Sequence, residues 1–138
     1  RAALKGNAMI SRRTILVSVA IVSAFGAGLA HAAQKADFTP GAFEAAQKGG
    51  KPILIAVHAS WCPTCKAQEP ILQKIESEAR YKDLVVLRVD FDAQKDVLKR
   101  FNVQKQSTLI AFKGAAETAR STGDTNAETI AALVARTQ

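Results

Sequence analysis

The sequence predicts an α/β domain in which a central mixed sheet is flanked by helices on both faces. Short apolar runs rich in β-branched residues, typical of buried strands, alternate with segments whose apolar residues recur at helical spacing. Near the C-terminal end two strand-like runs follow each other directly, which indicates an antiparallel hairpin. Alternation followed by a hairpin predicts a mixed sheet of about four to five strands.

The predicted elements follow one another in the order αβαβαββα. Thr39 suits the cap of the first helix and Pro40 its first turn, and Gly49 and Gly50 end it. Pro70 lies inside the second helix and is expected to kink it. The strands are predicted at 52–59, 84–91, 107–112 and 117–122, and the later helices at 66–81, 93–101 and 126–137.

The charge distribution argues against a nucleic-acid partner. The formal net charge of the 138 residues is +7, but four of the 19 basic residues precede residue 33, which leaves 15 against 12 acidic residues. Basic and acidic residues are interspersed, without a sustained basic run or an aromatic ladder. We therefore expect a mixed, solvated surface on a single domain that is monomeric.

The N-terminal segment is interpreted as lying outside the folded domain. Residues 1–8 are interpreted as an upstream extension and residues 9–32 as a secretory signal peptide, with a basic start, an apolar run and a small-residue cleavage pattern. The apolar run, Ile15–Ala30, has 16 residues. A membrane span needs about 20, so cleavage is favoured over a retained anchor. The domain, residues 33–138, is expected in the periplasm, where disulfides persist.

Both cysteines of the chain lie in the segment SWCPTCK, residues 60–66. The segment follows the first predicted strand and begins a helix. Free amide groups and the helix dipole at that position favour a thiolate, so the pKa of Cys62 is expected to be low. Pro63 suits the first helical turn, and Cys65 is expected one turn later, on the same side and deeper. The two sulfurs could close and reopen a disulfide with little backbone movement.

Three kinds of chemistry fit two cysteines at this spacing. A structural disulfide is disfavoured, because its stabilising effect grows with loop length and this loop is very short. Structural zinc takes four ligands, and the domain offers only Cys62, Cys65 and His58, so a zinc site would need two chains. Thiol–disulfide exchange is favoured, with no cofactor and no bound metal.

From about Phe38 to Arg136 the sequence resembles the thioredoxin family, in particular its exported bacterial members. The resemblance is carried by the segments WCPTCK, VDFD at 89–92, FNV at 101–103 and TLIAFKG at 108–114, by Pro70 eight positions after Cys62, and by Gly123. A bare pair of cysteines would be a weak signal, whereas this order of segments is specific.

The resemblance implies a thioredoxin fold and a redox-active disulfide. In that family pattern Cys62 is the attacking thiol and Cys65 the resolving thiol, which releases the client. Trp61 would line the rim of the site. The intervening Pro63 and Thr64 would tune how strongly the thiolate is stabilised.

Three positions depart from the family pattern. Ser107 replaces a cis-proline, and because a cis bond without proline costs about 2.5–4 kcal/mol, the preceding bond is expected to be trans or strained. Its hydroxyl could form a hydrogen bond to a thiolate. A loop that has changed without functional consequence is an equal alternative.

Ala56 replaces a buried aspartate, so deprotonation of Cys65 must rely on water or another group. His58 replaces an aromatic residue. Its ring either packs at the strand end, which we favour, or is protonated and lowers the pKa of Cys62.

The resemblance implies an exported thiol–disulfide oxidoreductase that exchanges disulfides with client proteins and is recharged by a membrane-bound redox partner. The direction of transfer stays open, since potentials in such proteins range from about −270 to about −120 mV. The alternative is a binding module of the same fold that holds copper or an iron–sulfur cluster on Cys62 and Cys65, without turnover.

Overall fold

A five-stranded mixed sheet with helices on both faces forms the structure, a computed structural model that describes residues 32–138. The elements are β1 Gln34–Asp37, α1 Pro40–Lys48, β2 Pro52–His58, α2 Pro63–Glu76, β3 Val85–Asp90, α3 Lys95–Arg100, β4 Thr108–Lys113, β5 Ala116–Thr122 and α4 Ala127–Ala135. A short 3₁₀ turn at Ala79–Tyr81 precedes β3. The predicted fold class is confirmed.

The proposed N-terminal segments cannot be compared with this fold. The upstream extension, residues 1–8, and all but the last residue of the proposed signal peptide, residues 9–32, lie outside the described range. Within that range no helix combines the length and the hydropathy that a membrane crossing requires.

The sheet places β2 at its centre. The strand order is β1-β3-β2-β4-β5, in which β1, β3 and β2 run parallel while β4 and β5 are antiparallel to their neighbours. In the register of β2 with β3, Ala56 pairs with Arg88 and His58 with Asp90. Paired residues of neighbouring strands project from the same face, so these four side chains share one face of the sheet.

The first strand, β1, was not predicted, and the observed order is βαβαβαββα. Its four residues, QKAD, are all exposed, so they lack the apolar alternation by which a strand is recognised. Polar residues with a lysine are typical of an edge strand, where they discourage pairing with other chains. Pairing with β3 brings Lys35 opposite Val86 and Asp37 opposite Arg88, which adds two charges to the face that carries Arg88.

Alternation along β2 divides the core into two layers. Ile55 and Val57 belong to the layer under α1 and α3, whereas Leu54 and Ala56 belong to the layer under α2 and α4. In the first layer four aromatic rings pack with centroids 5.2–5.9 Å apart: Phe38, Phe43, Phe101 and Phe112. The carboxyl end of β2, from which the cysteine segment continues, is therefore held between two packed layers.

The local signals at the helix ends are also observed. Thr39 caps α1, since its Oγ1 accepts a hydrogen bond from the Ala42 amide at 3.1 Å, and Pro40 is the first helical residue. Gly49 follows the end of α1. The second helix, α2, continues through Pro70 to Glu76, so one helix carries the cysteine segment at its start and a long polar face behind it.

Candidate active site

The cysteine segment joins β2 to the N-terminus of α2. Cys62 is the N-cap residue of α2, with extended backbone, and Pro63 is the first helical residue. The Cys62 Sγ accepts a hydrogen bond from the Cys65 amide at 3.1 Å. The sulfur thus occupies the place that a serine or aspartate oxygen takes at other helix starts. The predicted location of Cys62 at a helix N-terminus is confirmed.

Cys62 and Cys65 are joined by a disulfide across the first turn of α2. Their Cα atoms lie 5.3 Å apart, inside the range of roughly 4.4–6.8 Å in which such a bond closes without backbone movement. The helix can therefore keep its shape in the oxidised and the reduced forms.

Both sulfur-bearing residues are covered. Cys62 is 0% exposed and Cys65 is 9% exposed, so the expectation that Cys65 would lie deeper than Cys62 is wrong. Cys62 and Cys65 cluster with Ala59, and Phe91 packs against the group. The sequence could not show this cover, because Phe91 follows another strand. In the oxidised form the Cys62 sulfur is therefore shielded from solvent.

Ser107 lies against the disulfide, immediately before β4. Its Oγ is 3.1 Å from the Sγ of Cys62 and 3.1 Å from the Sγ of Cys65. No peptide bond within residues 32–138 is cis. The bond before Ser107 is therefore trans, which is one of the two alternatives predicted for it. Of the two interpretations of Ser107, this geometry favours a functional contact over a drifted loop.

The backbone of Ser107 is held in an unfavourable conformation. Its φ is +60°, in the left-handed region that costs a residue with a Cβ about 1–2 kcal/mol. Three hydrogen bonds fix it. The Ser107 amide donates to the Val57 carbonyl at 2.9 Å, and the Ser107 carbonyl accepts from the Gly123 amide at 2.9 Å and from Gln68 Nε2 at 3.2 Å. The surrounding structure thus holds the hydroxyl between the sulfurs.

Gln68 connects α2 to this loop, and its removal should be costly. The side chain is buried and also donates to the Asp124 carbonyl at 2.7 Å. Gln68→Leu is expected to lower the free energy of unfolding by about 1–3 kcal/mol, since a carbonyl loses its donor. Chemical denaturation measures this. Gln73→Leu, on an exposed position of α2, should change the free energy of unfolding by less than about 0.5 kcal/mol. Equal losses in the two variants would contradict the stabilising role of the Gln68 hydrogen bonds.

His58 ends β2 and contacts Arg88. The His58 Nδ1 lies 3.4 Å from Arg88 Nη2. A guanidinium only donates hydrogen bonds, so Nδ1 is the acceptor and the ring is neutral. Burial, and next the charge of Arg88, lower the pKa of His58, against the opposite influence of Asp90, Glu69 and Asp37. The packed, neutral ring is favoured over a protonated imidazole beside Cys62.

The lowered pKa of His58 predicts a pH dependence of stability. The folded protein binds this proton less tightly than the unfolded chain. The contribution of His58 to stability is therefore complete above the ordinary histidine value of about 6.5 and falls as the pH is lowered through the folded-state pKa. The free energy of unfolding, measured with denaturant over this pH range, should fall with decreasing pH in the wild type and fall less steeply in His58→Gln. An unchanged slope would assign it to other groups.

Charged side chains lie between α2 and the parallel edge of the sheet. Lys35 Nζ is 2.8 Å from Glu69 Oε1 and 3.7 Å from Glu76 Oε2. The Lys35 hydrogen bond lowers the pKa of Glu69, whereas burial raises the pKa of Glu76. This cluster is not predicted from the sequence, because Lys35 lies on the unpredicted strand β1. A signal was available, since Glu69 and Glu76 follow Cys65 by four and eleven residues, on the same helix face.

The outer rim is formed by the residues around Cys62. Trp61 is 55% exposed, and its Nε1 donates to Asp92 Oδ2 at 2.7 Å. Pro63 is exposed and Thr64 is partly buried. Trp61 and Pro63 therefore present the accessible surface beside Cys62.

Family and sequence comparisons agree with this geometry. The thioredoxin family model matches residues 34–136. The protein disulfide-isomerase erp38 of Neurospora crassa is 34% identical over 106 residues, which cover 75% of this chain and 29% of that protein. A thioredoxin of Chlamydia muridarum is 31% identical over 86 residues, 62% of this chain and 82% of that protein. The chain thus spans less than a third of the Neurospora relative.

A solved structure gives the same result. The crystal structure of Trxlp from Edwardsiella tarda superposes with a TM-score of 0.72 at 38% identity, covering 73% of this chain and 98% of that one. With a family model over most of its length, a five-stranded sheet of this order and the cysteine pair at the start of α2, the chain belongs to the thioredoxin family.

Proposed function

We propose that this domain is a thiol–disulfide oxidoreductase in which Cys62 attacks and Cys65 resolves. The observation that carries the proposal is the Cys62–Cys65 disulfide at the N-terminus of α2, where the Cys65 amide donates to the Cys62 sulfur at 3.1 Å. An amide and a helix dipole that stabilise negative charge on one sulfur raise its thiolate fraction at neutral pH and make it the better leaving group. The Neurospora and Chlamydia relatives, a protein disulfide-isomerase and a thioredoxin, support this activity.

The assignment of the two roles follows from position. Cys62 precedes the helix, beside the exposed Trp61 and Pro63, whereas Cys65 faces the space between α2 and the sheet. We infer that a client approaches the first sulfur once its cover moves, although Cys62 is 0% and Cys65 9% exposed in this oxidised form. Ser107 lies 3.1 Å from both sulfurs, so its hydroxyl can donate to whichever sulfur carries negative charge during the exchange.

The reaction proceeds in two exchanges. The Cys62 thiolate attacks a client disulfide, so that a bond forms from Cys62 to one client sulfur and the other leaves as a thiolate. The Cys65 thiolate then attacks the Cys62 sulfur, the Cys62–Cys65 bond forms, and the client sulfur leaves with the electron pair. The client gains two electrons and the protein dithiol loses them. The same steps in reverse oxidise a client dithiol.

The cellular setting is part of the proposal. We infer that residues 9–32 direct export, that residues 33–138 work as a monomer in the periplasm on client proteins with thiols or disulfides, and that a membrane-bound redox partner recharges the dithiol. The basic start, apolar run and small-residue pattern of residues 9–32 support export, and an oxidising compartment suits the disulfide. Fractionation of cells into cytoplasm, membrane and periplasm tests it. Recovery of the full-length chain in the membrane would contradict a cleaved signal.

An insulin-reduction assay tests the activity. Metal-free protein with a small dithiol as reductant should reduce insulin repeatedly, and metal analysis of the protein as purified should find no stoichiometric metal. Stoichiometric copper or iron without turnover would instead favour the binding module. Within residues 32–138 no three Cys, His, Asp or Glu side chains are grouped to hold a metal ion, so that module would draw ligands from two copies.

A further inference from the structure

A small cavity lies behind Cys65, between α2 and the sheet. Its volume is ≈ 20 Å³, and its lining includes Cys65, Gln68 and Glu69 from α2 and Ala56, His58 and Arg88 from the sheet. A cavity needs at least about 10–15 Å³ in this measure to hold one water, so a single water fits. Ala56, which has no atoms beyond Cβ, leaves part of this space.

Resolution requires that Cys65 lose a proton. Only the thiolate attacks a disulfide, and Cys65 is 9% exposed, so bulk water does not solvate its sulfur freely. Ser107 touches the sulfur at 3.1 Å, but a hydroxyl is too weak a base to keep the proton. The proton must therefore leave through the cavity, whose other walls carry the titratable groups.

Two of the three candidate acceptors are poorly suited. Glu69 Oε1 already accepts hydrogen bonds from Lys35 at 2.8 Å and from Gln73 at 3.3 Å, and its lowered pKa makes it a weak base. Glu76 follows Cys65 by eleven residues, which corresponds to about 16 Å along the helix axis. Glu76 lines the same cavity, but from the last residue of α2, and its Oε2 lies 3.7 Å from Lys35 Nζ.

His58 has the position and the protonation state that the step needs. Its ring is neutral, because Nδ1 faces the Arg88 guanidinium at 3.4 Å. A histidine titrates closer to neutral pH than a carboxylate does, which suits a general base. His58 and Arg88 also line a second, open groove with Asp37 and Asp90. A proton taken up from the cavity can therefore pass to solvent on the other side.

We propose that His58 is the proton acceptor for Cys65 during resolution, acting through the cavity, an inference that rests on the proposed function. The Cys65 S–H proton passes to the unprotonated ring nitrogen of His58. The thiolate attacks Cys62, the Cys62–Cys65 bond forms, and the client sulfur departs with the electron pair of the broken bond. The imidazolium then releases its proton to water. In the reverse direction it returns the proton to Cys65 as the disulfide opens.

The charges around His58 suit a base that is unprotonated before the reaction. Arg88 on β3 opposes protonation, whereas Asp90 on β3, Asp37 on β1 and Glu69 on α2 favour it. Lys35 on β1 faces the same cavity and is paired with Glu69. Protonation breaks the Nδ1 contact with Arg88, and the three carboxylates then stabilise the imidazolium, so the proton can be taken up transiently.

The test separates attack from resolution in the full-length protein. Mixing reduced protein with a chromogenic aromatic disulfide releases one coloured thiolate on attack by Cys62 and a second on resolution by Cys65. In the wild type the second phase should slow as the pH falls through the pKa of His58, which burial and the charge of Arg88 lower below the ordinary histidine value of about 6.5. His58→Gln should slow the second phase relative to the first by roughly 100-fold at neutral pH and remove that inflection.

Glu69→Gln is the matched control, because it neutralises another group of the same cavity and should keep the inflection. An inflection that survives in His58→Gln, or that is lost in Glu69→Gln alone, overturns the assignment. A wild type that releases no coloured thiolate overturns the proposed function itself. NMR titration of the wild-type His58 ring needs no variant to fold, and its titration should differ between the oxidised and reduced proteins. Identical titrations overturn the inference.

Discussion

Cys62→Ser is expected to reduce insulin turnover to the rate without protein, and Cys65→Ser is expected to stop the reaction at a covalent complex with the client. Without the sulfur at the start of α2 there is no nucleophile at the N-cap position, beside the exposed Trp61 and Pro63. Without Cys65 the first exchange still occurs, but no neighbouring thiol can open the mixed disulfide. Insulin turnover measures the first loss, and mass spectrometry under non-reducing conditions detects the trapped complex.

The two single variants control for each other, because each removes one sulfur and retains the other, and serine is close to cysteine in size. If Cys62→Ser instead forms the trapped complex with the client and Cys65→Ser forms none, the proposed roles of the two cysteines are reversed. Such a result would also contradict the argument from position, since Cys65 faces the space between α2 and the sheet. Turnover restored to Cys65→Ser by added small thiols, which can open its mixed disulfide, would show that its fold is intact.

The location of the cysteine segment could be predicted because its signals are local. An apolar run, a proline at the first helical position and a helical pattern after it are all contained in residues 52–76. The missed strand β1 has no such signal, since its polar residues pair with β3 through backbone hydrogen bonds. The register of the sheet, and not the sequence pattern, therefore places Lys35 and Asp37 beside the site.

The surroundings of the sulfurs could be predicted only in part. The sequence marked Ser107 and His58 as departures from the family pattern, but not where their side chains lie. Ser107 acquires its role from a left-handed backbone and from partners on three other segments. The cluster around Cys62 includes Phe91, which lies 29 positions away in the chain. Contacts of this kind depend on tertiary packing, which no short segment encodes.

Substitution of Ser107 is expected to slow the reaction of Cys62 with an alkylating reagent in the reduced protein. The Ser107 hydroxyl lies 3.1 Å from Cys62 Sγ, and a hydrogen bond to a charged group contributes about 1.5–3 kcal/mol. Ser107→Ala removes this donor, so the thiolate fraction at a given pH should fall about tenfold or more, since 1.4 kcal/mol is a factor of about ten. Alkylation rates measured against pH give this fraction.

Ser107→Gly separates the hydroxyl from the strained backbone. Both variants lose the donor, so both should alkylate slowly. Glycine, however, adopts a φ of +60° without steric cost, and the free energy of unfolding of Ser107→Gly should exceed that of Ser107→Ala by about 1–2 kcal/mol. The two variants should therefore alkylate at similar rates. If their rates differ from each other as much as either differs from the wild type, the effect comes from the backbone and not from the hydroxyl.

Thr108→Val provides the neighbouring control. The Thr108 hydroxyl bonds to the Lys105 carbonyl at 2.7 Å and to the Thr122 hydroxyl at 3.0 Å, away from both sulfurs. Its loss should lower stability by about 1 kcal/mol while the alkylation profile of Cys62 stays as in the wild type. If Thr108→Val slows alkylation as much as Ser107→Ala does, the loop as a whole governs Cys62. If only the Ser107 variants do, one hydroxyl governs it, through direct contact with the sulfur.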